Sequence, residues 1–226
     1  MNRQLLDEDI SQLEHRVLDM TSRAETMVSK AVDALCKLDD DLAHEVMHAD
    51  DEIDRLDIEI EAQCLRLLAL QQPMGRDLRV IGAAMKIITD VERIGDLAVD
   101  IAKITMKIER EMGDASLVDI PKMANLARKM VRFSLDAFVK RDVSHLKDIA
   151  VMEDETDVLY RELRSQIHDY MRSHPSQVVS ASWLLLAVHH IERIADHALN
   201  IAERVNFMVT GELEQISPSH RSDHTA

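Results

Sequence analysis

The chain repeats itself. Met27-Val28, Asp33-Ala34 and Asp39 return 103 positions later as Met130-Val131, Asp136-Ala137 and Asp142, and Asp51-Glu52-x-Asp54 returns at the same offset as Asp154-Glu155-x-Asp157. Beyond a proline in each half the offset falls to 100. Glu92-Arg93-Ile94-Gly95-Asp96 then returns as Glu192-Arg193-Ile194-Ala195-Asp196, and Ile101-Ala102 as Ile201-Ala202. A three-residue change of offset within a loop is what a duplicated structural unit tolerates. The fold is therefore one unit used twice.

The unit is helical. From 80 to 108 the apolar residues read Val80, Ala84, Ile87, Val91, Ile94, Ala98, Ile101 and Ile108, a stripe at three- and four-residue spacing rather than a strand alternation. Five Gly, four Pro and an aromatic content of 3% leave little to build sheets or turns with. The prolines punctuate: Pro73 and Pro175 lie in the polar breaks QQPMGRD and SHPSQ, Pro121 opens a segment after Gly113-Asp114, and Pro218 lies in the polar end. Helices are expected near 5–38, 41–71, 76–111, 120–140, 143–172 and 176–210, with Asp39 to Asp41 and Asp142 as N-caps. The reading is an all-α tandem repeat of two three-helix bundles, six long antiparallel helices in all. The first repeat is placed at 1–113, the second at 114–212, and a polar tail expected to be disordered at 213–226.

A hydrophobic fraction of 46% is ample for such a core, and no run approaches the roughly 18 to 20 apolar residues of a membrane span. The start, MNRQLLDEDI, lacks the basic end and apolar stretch of a secretory signal, so a cytoplasmic protein is expected. The net charge of −15 argues against nucleic acid, and against free phosphate or anionic lipid unless a cation intervenes. Contact with a membrane would come only indirectly, through protein partners. Cys36 and Cys64 would lie about 30 Å apart along antiparallel helices, so both are expected as buried free thiols.

The acidic residues are ordered. Glu92, Asp96 and Asp100 stand at i, i+4 and i+8, and Glu192, Asp196 and Asn200 repeat the pattern. Each set shares a helix face, where like charges repel by a few tenths of a kcal/mol per pair. Asp50 with Asp54, and Glu153 with Asp157, lie on the preceding helices. The first of these pairs is centred 21 residues before Pro73, and Glu92–Asp96 is centred 21 after it; around Pro175 the counts are 20 and 19. In an antiparallel hairpin, two acidic pairs thus meet at one height in each bundle. Clustered oxygens suit Mg²⁺, Mn²⁺ or iron, and Cys-rich zinc spacing is absent. The competing reading is a solvated face ion-paired by Arg93, Arg193 and Lys103. His44 and Glu45-x-x-His48 have no counterparts in the second half, which disfavours a di-iron site. His189 is a helper to one site at most. Trp183 and the thirteen Met read as packing residues. No phosphate loop, nucleophile elbow or cysteine dyad is visible, which permits a non-enzymatic adaptor; a di-metal carboxylate enzyme and a plain structural bundle are the alternatives.

The segments DRLDIEIEAQCLRLLALQQPMGRDLRVIGAAMKIITDVERIGDLAVDIA and HHIERIADHALNIAERV make the chain resemble the PhoU family over about residues 5 to 212. That family is a tandem of three-helix bundles whose repeated acidic motifs bind multinuclear metal clusters. The resemblance implies metal ligands at Asp50, Asp54, Glu92, Asp96 and Asp100, then at Glu153, Asp157, Glu192, Asp196 and Asn200. Asn200 departs from the acidic pattern. Carboxylate donors do not choose among iron, manganese, magnesium and zinc. The resemblance further implies a negative regulator of phosphate uptake and of phosphate-starvation signalling. Its implied partners are the ATPase subunit of the phosphate ABC transporter and the phosphate sensor histidine kinase. A homodimer is also expected.

Overall fold

The computed structural model describes residues 3–108 and 119–216. Six helices follow one another: α1 (Arg3–Lys37), α2 (Asp40–Gln71), α3 (Arg76–Thr105), α4 (Ile120–Lys140), α5 (Leu146–Ser173) and α6 (Val178–Thr210), with a 3₁₀ turn at Pro175–Gln177 before α6. Among the described residues there is no strand, and no helix is long and apolar enough to cross a membrane. The expected boundary at 113/114 and the end of the tail lie outside the described residues.

α1 shows why the chain folds this way. Leu6, Ile10, Leu13, Val17, Met20, Ala24, Met27 and Ala31 alternate four- and three-residue steps, and all are buried. That spacing keeps one seam facing its neighbours over about seven turns, as in coiled coils. α1, α2 and α3 pack on one another as the first bundle, and α4, α5 and α6 as the second. The bundles join through α3 against α6 and α1 against α4 into a continuous core. Facing pairs give the α3–α6 register: Arg79 Nε donates to Met208 O (3.2 Å), Asp90 meets His197, and the Lys107 ammonium lies over the Trp183 ring. The two helices are antiparallel throughout. Between α1 and α4, Arg141 pairs with Glu14 at 2.7 Å and Arg128 with Glu25 at 3.5 Å. Glu25 and Arg128 are counterparts in the duplication, so that bridge straddles the line relating the repeats.

The repeats turn alike and then part. Leu38 and Arg141 occupy matched positions with left-handed φ of 49° and 53°, and the next residues, Asp39 and Asp142, donate back to Ala34 O and Ala137 O. Asp39 then caps α2, accepting from Leu42 N at 3.0 Å. Asp142 does not cap α5. Its Oδ1 accepts from Ser144 N at 2.9 Å in a local Asx turn, and the helix begins at Leu146 rather than 143. α3 also ends early, at Thr105 rather than 111. Lys107 N bonds Ile104 O in a tightened turn, and Ile108 reaches the core without the helix. The α2–α3 link uses left-handed φ at Gln72 and at Gly75, which precedes the first residue of α3. Both cysteines are free, but Cys36 is only half-buried; burial pushes the Cys64 thiol up to about 12.

Candidate metal centres

On α2 the buried stripe runs through Ile53, Leu56 and Ile60, and on α3 through Val91, Ile94, Gly95 and Ala98. Asp50, Asp54, Glu92 and Asp96 flank these stripes along the α2–α3 seam. Gly95 fixes the register: a Cβ added there would lie 3.4 Å from Ile53 Cγ2 and 3.5 Å from Asp50 Oδ1. The acidic pairs therefore stand at one height, as the spacing about Pro73 predicts. Burial pushes the Asp50 carboxyl up to about 6, with repulsion from Asp54, Asp96 and Asp51 adding and Lys103 opposing. Burial also raises Glu92, helped by Asp96, Asp57 and Asp54 and opposed by Arg93. Asp57 is raised by burial, then by Glu61 and Asp54. It belongs to this cluster although the sequence reading omitted it; its place three residues after Asp54 was the available signal.

In the second repeat, the Tyr160 and His189 rings lie 6.0 Å apart and set the α5–α6 register. At that register Glu153 and Asp157 stand level with Asp196 and Glu192. Glu153 is buried at 2% exposure, and the other three are half-buried. Glu192 Oε2 lies 3.2 Å from His189 Nδ1, and Asp196 lies 4.0 Å from Arg193.

The donor set is what a hard cation needs: carboxylate oxygens on two helices, partly desolvated and mutually repelling. The resting arrangement is nonetheless ion-paired. Arg93 reaches Glu92 at 3.4 Å and Asp96 at 2.8 Å. Among the described residues no three Asp, Glu, His or Cys side chains are drawn together closely enough to enclose an ion as they stand. An ion here would have to draw the exposed Asp54 and the half-buried Asp96 inward, away from Arg93.

The outer members of the two ladders meet other neighbours. Asn200 Nδ2 donates to Asp90 Oδ1 on α3 (3.4 Å), which His197 Nδ1 also contacts at 2.9 Å. Asp100, the counterpart of Asn200, pairs with Lys103 at 3.4 Å and acts on His190 of α6, which burial holds below the usual imidazole range. Both positions thus also act on a group of the other repeat. His44 and His48 are exposed on α2.

A family model described as the PhoU domain matches residues 17–105 and again 120–205, once in each bundle. The chain belongs to the PhoU family. A "Phosphate-specific transport system accessory protein PhoU homolog" from Clostridium acetobutylicum is 34% identical over 213 residues, covering 94% of this chain and 97% of that protein. A relative of the same description from Deinococcus radiodurans is 32% identical over 212 residues, covering 94% and 100%. The crystal structure of PhoU from Pseudomonas aeruginosa superposes with a TM-score of 0.86 at 32% identity, over 91% of this chain and 99% of that one. The phosphate transport system regulatory protein PhoU from Streptococcus pneumoniae gives 0.86 at 30% identity, over 92% and 99%. Agreement over that share of the chain extends past either bundle alone, so this chain shares the docking of its two repeats with those structures.

Proposed function

We propose that this chain is a metal-binding accessory protein of a phosphate transport system. In this reading it restrains high-affinity phosphate uptake and the phosphate-starvation two-component pathway. It acts as a cytoplasmic adaptor between the ATPase subunit of the phosphate ABC transporter and the phosphate sensor histidine kinase, reaching the membrane through them and working as a homodimer. The observation that carries the accessory role is likeness along nearly the whole chain to relatives described as phosphate-specific transport system accessory proteins.

The metal part of the reading rests on the opposed acidic pairs. Asp50, Asp54, Glu92 and Asp96 would hold ions in the first repeat, and Glu153, Asp157, Glu192 and Asp196 in the second. A multinuclear cluster of iron, manganese, magnesium or zinc would neutralise carboxylates that now repel one another. It would also give a chain of net charge −15 a means of meeting anionic surfaces. Asp100 and Asn200 stand beside the clusters and couple them to the contact between repeats.

Deleting the gene tests the role. Starvation-reporter expression should become constitutive in high phosphate, and intact repression would reject the regulatory reading. Metal analysis of protein purified without chelator tests the centres, with Asp96→Ala plus Asp196→Ala as the control. Equal metal content in both proteins would reject them.

A further inference from the structure

Two of the three aromatic residue types that this chain uses so sparingly, one Trp and two Tyr beside three Phe, meet in a single cleft. Between α5 and α6 lies an open surface cleft of about 470 Å³ lined by Tyr160, Arg164, Trp183, Leu186 and His189, with Ser182 and Leu185. Trp183 is only partly buried, and Leu186 is 37% exposed, so neither is sealed in the core. The cations here lie over rings: Lys107 Nζ is 4.2 Å from the Trp183 centroid, and Arg164 Cζ is 5.6 Å from that of Tyr160. Among the described residues no carboxylate lines the cleft.

The duplication isolates this feature. Around it, core positions are kept: Val188, Ile191 and Ile194 correspond to Ile88, Val91 and Ile94. The lining positions are not. Tyr160, Arg164, Trp183 and His189 stand where the first repeat has Asp57, Glu61, Ala83 and Thr89. Trp183 replaces the buried Ala83, whereas at Tyr160, Arg164 and His189 the first repeat carries two carboxylates and a threonine, so acidic and small residues give way to rings and a cation. On a protein of net charge −15, a cleft with aromatic walls and cationic edges selects a ligand that is flat, aromatic and anionic.

We propose that this cleft binds a nucleoside mononucleotide. Its base stacks on Trp183 and Tyr160, and its phosphate is held by Arg164 and Lys107, which take charge-assisted hydrogen-bond acceptors readily. The orientation follows from charge. Glu192 holds His189 Nδ1 at 3.2 Å on the side of the acidic cluster, so the phosphate points the other way, toward Arg164 one turn along α5. Lys107 follows α3 of the first repeat, while every other contact comes from the second. Bound nucleotide thus touches both repeats. A nucleic-acid strand is disfavoured, because it would run onto the acidic surface beyond the cleft.

Trp183 is the sole tryptophan of the chain, so its fluorescence reports the site directly. The full-length protein is titrated with AMP, ATP and GMP in EDTA, which keeps cations from bridging phosphate to the acidic clusters and separates this test from the metal reading. Saturable quenching is expected, with matching heat by calorimetry. Arg164 and Lys107 are exposed, so Arg164→Glu and Lys107→Ala should fold and should weaken binding by about tenfold or more. Arg164→Lys should retain part of the affinity. No saturable signal by either method overturns the proposal, as does equal AMP affinity in wild type and Arg164→Glu. Inorganic phosphate or ribose 5-phosphate competing as well as AMP, or a single-stranded oligonucleotide binding more tightly, also overturns it.

Discussion

Gly95 lies against Asp50, close enough that a methyl group added to it would meet the carboxylate oxygen at 3.5 Å. Their counterparts in the second repeat are Ala195 and Glu153. The first repeat thus combines a shorter acid with no side chain, and the second a longer acid with a methyl. Gly95 has no left-handed φ to maintain, and 3.4–3.5 Å to Ile53 and Asp50 is ordinary contact. Replacing a mid-helix glycine by alanine gains up to about 1 kcal/mol of helix propensity. Gly95→Ala should therefore raise the urea midpoint slightly. A loss of stability would mean that the seam cannot widen as it does beside Ala195.

Asp50 sets a pH dependence whose sign can be stated. Its folded carboxyl is raised to about 6 from 3.8, chiefly by burial, so the folded state binds the proton more tightly. The stability this contributes is fully present below about 3.8 and is lost as pH rises through about 6. Asp50→Asn stays neutral. In EDTA the variant should match wild type at low pH and exceed it above pH 6, by about 1 kcal/mol once partial exposure is discounted. Urea unfolding across that range reads the difference, and a gap that shrinks as pH rises would contradict the burial of Asp50. Divalent metal should narrow the gap, because a cation replaces the proton.

The α2–α3 register was legible because a short turn and a fixed rise per residue leave one way to pair residues equidistant from Pro73. The same arithmetic placed Glu153 and Asp157 level with Asp196 and Glu192. The neighbours of Asn200 were not legible. Asp90 and His197 come from different repeats, and nothing local in either helix announces that contact. The duplication held a trace of it: Asp90 pairs across to Asn200 and Asp100 acts on His190, a reciprocal exchange between positions 100 residues apart. The start of α5 is illegible for a local reason, since Asp142 can close an Asx turn as readily as it can cap a helix.

Asn200 separates a role in the metal centre from one between repeats. Its amide donates to Asp90 at 3.4 Å from an exposed position, so Asn200→Ala should change stability by no more than about 0.5 kcal/mol. It should leave manganese affinity unchanged, whereas Asp157→Asn should weaken it. Asn200→Asp would set a second carboxylate against Asp90 and should destabilise the fold slightly, most at low salt. Calorimetric titration with Mn²⁺ decides the matter: a large loss of affinity in Asn200→Ala would put the amide oxygen among the ligands.

Arg93 is a cation that the first centre already has, beside Lys103. Its guanidinium lies 2.8 Å from Asp96 and 3.4 Å from Glu92, the carboxylates that meet Asp50 and Asp54 across the seam. An incoming metal must break these pairs, so their strength subtracts from its affinity. Both contacts are solvent-exposed on the arginine side, where such pairs are weak, and Arg93→Gln should therefore tighten Mn²⁺ binding by only about two- to fivefold. The same substitution should lower the stability of the metal-free protein at neutral pH, because Glu92 and Asp96 are left facing their neighbours uncompensated. Opposite signs in the two measurements distinguish a competing cation from a structural one. If Arg93→Gln weakens metal binding as well as the fold, the guanidinium positions the carboxylates for the ion instead of competing with it.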